Sequence, residues 1–118
     1  MACRYKFYAA ETGTSYQYSF VWSRAVNRPE GQGPGSDYVF VVTPDQQTPF
    51  TLRVFVSDRA RAAWRLVHGR ELDSAEIYAV AKMRLFRALD ELPCLRGEWL
   101  NLLVDETNIE ELLAPLDR

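Results

Sequence analysis

From Tyr16 to Trp22 the chain reads YQYSFVW, with aromatic side chains at every second position and Gln17, Ser19 and Val21 between them. A period of two is the signature of a β-strand, in which alternate side chains share a face. Tyr16, Tyr18, Phe20 and Trp22 are therefore expected on one face, with Gln17, Ser19 and Val21 on the other; the aromatic face is either the sheet side of the core or, if the helices take the other face, a surface for a ligand or a second subunit. Residues 5–9, YKFYA, form a shorter aromatic run. The turn signal Thr12-Gly13-Thr14 between the two runs predicts a hairpin. Residues 38–42, YVFVV, are continuously apolar, as expected of a central strand, and residues 50–56, FTLRVFV, alternate again. The short turn at 43–49 joins them into a second hairpin. The stretch 27–37, NRPEGQGPGSD, is rich in Gly, Pro and Asn. It is expected to be a flexible loop.

At Ser57 the period lengthens to that of a helix. Ser57-Asp58 makes an N-cap with an acidic first turn, and Gly69 ends the segment. A second helix, 75–92, follows the cap signal Asp73-Ser74 with Glu76 and stops at Pro93. At 100° per residue, Ile77, Tyr78, Ala81, Leu85, Ala88, Leu89 and Leu92 form one wide apolar stripe. Ala79, Met83 and Phe86 occupy a separate sector. Two apolar sectors imply a helix sandwiched within its own domain or shared with a partner. Residues 98–104, EWLNLLV, are read as a late strand, and Thr107 with Glu110 as a capping box opening a short last helix. Strands followed by helices indicate an α+β domain. The expected architecture is one antiparallel sheet of four to five strands, made of two N-terminal hairpins and a late strand, with two to three helices mainly on one face.

The length of 118 residues fits a single domain, 1–118. With 47% hydrophobic and 25% charged residues, the composition is that of a globular protein with an adequate core. A net charge of −2 offers no global attraction to nucleic acid or to an anionic membrane. The N-terminus MACRYKFY lacks the apolar core of a leader, and no apolar run approaches membrane-spanning length. A soluble cytoplasmic protein is the expectation, with Cys3 and Cys94 as reduced thiols.

Candidate chemistry is sparse. GQGPGS, 31–36, lacks the Gly-Lys-Ser/Thr ending of a phosphate loop and leads into a strand. His68 is the only histidine, with no second ligand nearby in sequence, and its place before Gly69 suits a cation at a helix C-terminus. Glu98, Asp105 and Glu106 show no spacing that calls for a metal or for acid–base work. No catalytic residue, metal ligand or cofactor site is nominated. The leading expectation is a non-catalytic protein-interaction module, a homodimer or an adaptor for another protein. Its interface candidates are Ala79, Met83 and Phe86 on the long helix and Tyr16, Tyr18 and Trp22 on the aromatic strand. A nucleic-acid binder using Arg61, Arg65 and His68 beside Trp64 is a disfavoured alternative. A small enzyme or ligand-binding domain with a pocket between sheet and helices is another.

Overall fold

A computed structural model describes residues 6–45, 48–91 and 100–116. The elements run β1 (Lys6–Ala9), β2 (Ser15–Arg28), β3 (Gly33–Pro44), β4 (Phe50–Ser57), α1 (Asp58–His68), α2 (Ser74–Glu91), β5 (Leu100–Val104) and α3 (Ile109–Leu113), closed by a 3-10 turn at Ala114–Leu116. The five strands form one sheet in sequence order. The first four pair antiparallel, and β5 lies parallel to β4. Parallel pairing follows from the connection, because the crossover through α1 and α2 returns the chain to the end of the sheet where β4 began. The α+β class, the late strand and the three helices agree with the sequence pattern. Cys3, Leu92, Pro93, Cys94 and Glu98 lie outside the described residues.

One face of the sheet carries Tyr16, Tyr18, Phe40, Val42, Phe50, Leu52, Val54, Val56 and Val104 into a single core with Ala60 and Trp64 of α1. Ile77, Val80, Ala81, Leu85 and Leu89 of α2 complete it, with Ile109, Leu112 and Leu113 of α3. The helix ends form where local chemistry satisfies their backbone. The Ala60 amide donates to Ser57 Oγ at 3.0 Å, and Gly69, at φ 76°, donates its amide to Arg65 O. Asp73 and Glu76 exchange side-chain bonds with each other's amides at 2.8 and 3.0 Å, which is a capping box. The expected box at Thr107 does not form. Asn108 is the N-cap of α3 and makes no capping bond with its side chain. Asp105 accepts from Thr107, and Glu110 turns to His68 instead.

The aromatic strand departs from simple alternation at one residue. Phe20 lies opposite Phe40 and Trp22 opposite Val39, so Val21 is an extra residue in a β-bulge. Tyr16 and Tyr18 are buried in the core. Phe20 shares their face but is half-exposed at the core margin, its ring edge-on to Tyr78 at 5.2 Å. The bulge moves Trp22 to the opposite face. Ser19, expected in solvent if the aromatics face the core, is only 8% exposed. A lysine there would have to leave a buried site and is no neutral replacement.

The stretch 27–37 is not a long loop. β2 runs to Arg28 and β3 starts at Gly33, so only residues 29–32 turn. Glycine and proline are tolerated here for specific reasons. A Cβ on Gly35 would sit 2.5 Å from Phe55 Cζ and 2.5 Å from Val56 O, so the absence of a side chain is what lets Phe55 lie across β3. We expect Gly35→Ala to destabilise by about 1–3 kcal/mol through overpacking, read as a lowered urea midpoint. Arg28 clamps the same hairpin, reaching both oxygens of Asp37 at 2.9 and 3.1 Å.

Candidate functional site: the outer edge of the long hairpin

β2 has 14 residues, but β1 pairs only with Ser15–Tyr18. Beyond Tyr18, no described residue pairs with the outer side of β2. The direction of its backbone groups follows from one bond and the alternation of an antiparallel ladder. The Asp45 amide donates to Ser15 O at 3.0 Å, so Ser15, Gln17 and Ser19 face β3. The bulge shifts the parity, because Val39 keeps its orientation and now meets Trp22. Trp22, Arg24, Val26 and Arg28 then face β3, while Ser23, Ala25 and Asn27 aim their N–H and C=O groups outward. The prolines agree, since Pro34 and Pro44 occupy the positions of β3 whose amides point away from β2.

The side chains along this edge are exposed from Phe20 to Ala25. Phe20, Val21 and Trp22 are 37–48% exposed, and Phe7 of β1 is 73% exposed. The sheet face away from the helices carries Trp22, Arg24, Arg28, Asp37, Val39, Arg53 and Phe55. Val39 and Phe55 are buried although they stand outside the main core. Arg28 lies over the Phe55 ring at 4.4 Å and Arg24 over Trp22 at 5.1 Å, the stems of the arginines covering apolar surface while their heads stay wet. Asp37, 1% exposed, accepts both Arg28 bonds and lies 3.9 Å from Arg53 Nε. Two guanidinium groups therefore stand beside one carboxylate.

A second concavity, of about 520 Å³, lies among α1, the α1–α2 link, α2 and α3. Trp64, Leu72, Ala75, Ala79 and Leu113 give it an apolar lining. Its charged groups are engaged with one another. His68 stacks on Trp64 at 4.1 Å and reaches Glu110 at 3.0 Å; Arg70 lies over Trp64 at 5.0 Å and grips Glu76 with bonds of 2.9 and 2.7 Å. Donation from Arg70, then from the Asp73 amide, pulls the Glu76 carboxyl down to a pKa of about 2 from 4.5. A carboxyl depressed on folding contributes stability above its unfolded value, and that contribution is lost as the pH falls from 4.5 through 2. Arg70→Gln is expected to return the Glu76 titration toward the ordinary range and to shrink the loss of stability across that window. Carboxyl NMR titration alongside urea midpoints at each pH reads both effects.

The remaining nominated residues are dispersed. Tyr16 and Tyr18 are core side chains and leave almost no surface to a partner. Phe86 stacks on Tyr8 at 4.2 Å and meets Tyr18 edge-on at 5.5 Å, and Met83 packs against the same core. The second sector of α2 is thus spent inside the domain, with Ala79 at the helical groove. Arg61 pairs with Asp58, Arg65 with Glu71 and His68 with Glu110, so the basic helix offers a largely neutralised face. Among the described residues, no group of three or more His, Cys, Asp or Glu could hold a metal, and no helix is long and apolar enough to cross a membrane. Of the nominated surface residues, only Trp22 lies on the stretch of β2 whose outer side no described residue covers. The sequence missed its neighbours Arg24 and Arg28 because their place depends on the one-residue bulge. No family model, curated protein or solved structure matches this chain, and its own geometry is what characterises the site.

Proposed function

We propose that this protein is a non-catalytic protein-interaction module that takes an extended segment of its partner along the outer edge of β2. The observation that carries this reading is the mismatch in strand length: β2 has 14 residues and, among the described residues, β1 covers four of them. An uncovered edge presents a ready row of donors and acceptors, and addition of a strand satisfies them while side chains on alternate positions supply specificity. Exposed Trp22 and Val21 beside the edge add apolar area of the kind that anchors interfaces.

Amide hydrogen exchange on the isolated chain tests the reading. Ser23, Ala25 and Asn27 should exchange much faster than Trp22, Arg24 and Val26, whose amides are bonded to β3. Uniform protection across 22–27 would mean that the edge is already covered, and the reading would fail.

A further inference from the structure

We infer that the strand accepted by β2 is an acidic segment of another protein, with a carboxylate beside Arg24, and is not a second copy of this chain. This inference rests on the edge reading and adds the chemistry of the occupant. Arg24 stands on the open sheet face over Trp22, and no described carboxylate pairs with it. Arg28 spends both of its bonds on Asp37, so Arg24 is the cation of this strand that has no described carboxylate beside it. A strand added antiparallel to β2 places its side chains directly opposite those of β2, on the same face, where opposite charges attract and like charges destabilise.

The same rule disfavours self-pairing. The regular segment after the bulge is Trp22–Arg28, and its outward amides belong to Ser23, Ala25 and Asn27. A two-fold pairing of two copies that uses all three would centre on Ala25. Arg24 would then lie opposite the partner's Val26 and diagonal to the partner's Arg24, within reach of its long side chain. The bulge at Val21 and the charge of Arg24 are devices by which edge strands resist identical or neutral edges. An acidic strand converts the second device from a barrier into a contact.

Two peptides decide the matter. Each has seven residues with blocked ends and valine at its odd positions; one carries glutamate and the other lysine at the even positions. Titrated into isotopically labelled protein, the glutamate peptide should shift the amide signals of Ser23, Ala25 and Asn27. Its affinity should exceed that of the lysine peptide by roughly tenfold or more, a difference of about 1.4 kcal/mol. Arg24→Glu should reverse the order. Ala25→Pro should abolish both interactions while sparing the fold, because that amide makes no bond to β3. Equal binding of the two peptides, a preference that survives Arg24→Glu, or no binding by either at millimolar concentration would overturn the acidic-strand inference. Rising molar mass with concentration, accompanied by protection of these three amides, would assign the edge to a second copy. In each of these cases fast exchange at the three amides of the isolated monomer keeps the edge reading standing. Protection of those amides in the monomer removes both.

Discussion

Arg28→Met should cost about 3–5 kcal/mol of stability, because it strands the buried Asp37 carboxylate without its two-bond partner. Asp37 is almost wholly buried, whereas the side chain of Arg28 is 36% exposed. Loss of either partner breaks the same pair, but the consequences differ. Without Asp37, the guanidinium of Arg28 can rotate into water. Without Arg28, the carboxylate is left with Arg53 at 3.9 Å. Asp37→Asn should therefore cost less than Arg28→Met, and methionine keeps the apolar stem that covers Phe55. Urea midpoints of the two variants measure the difference. A larger loss for Asp37→Asn would show that the pair acts through the arginines and that the clamp is not governed by burial of the carboxylate.

Leu85→Ala should cost about 2–5 kcal/mol, the range for truncating a buried leucine where the surroundings relax only in part. Leu85 is fully buried in the middle of α2, the helix that contacts β4, β5 and α3. With neighbours on both sides the cavity has little freedom to collapse, which favours the upper part of that range. Ala79→Ser on the same helix, at the rim of the groove, is the control and should change the midpoint little. Equal midpoints for Leu85→Ala and the parent chain would contradict the burial of Leu85 in the core between the sheet and the helices.

Much of the architecture is legible in the chain because it depends on local chemistry. The change of period at Ser57 and the caps at Ser57, Gly69 and Asp73–Glu76 each involve residues within a turn or two of one another. Their outcome does not wait on distant contacts, and the structure reproduces them. The α+β class follows from the order of those segments.

Tertiary structure decided what depends on residues far apart. The segment 27–37 has the composition of a loop, yet Arg28 with Asp37 and the ring of Phe55 across Gly35 hold most of it in strands. Those partners cannot be identified before β4 is aligned with β3. The bulge at Val21 has no local signal either. It inverts the parity of every position after it, sending Trp22 to the far face, aiming the amides of Ser23, Ala25 and Asn27 outward and exposing Arg24. The sequence by itself determined that an aromatic strand exists; that Tyr16 and Tyr18 belong to the core and not to an interface came from the tertiary structure. Only the pairing of β2 with β3 decided where that strand stops serving the core and presents an edge, because a period-two pattern specifies a face only relative to a register, and a single inserted residue changes the register.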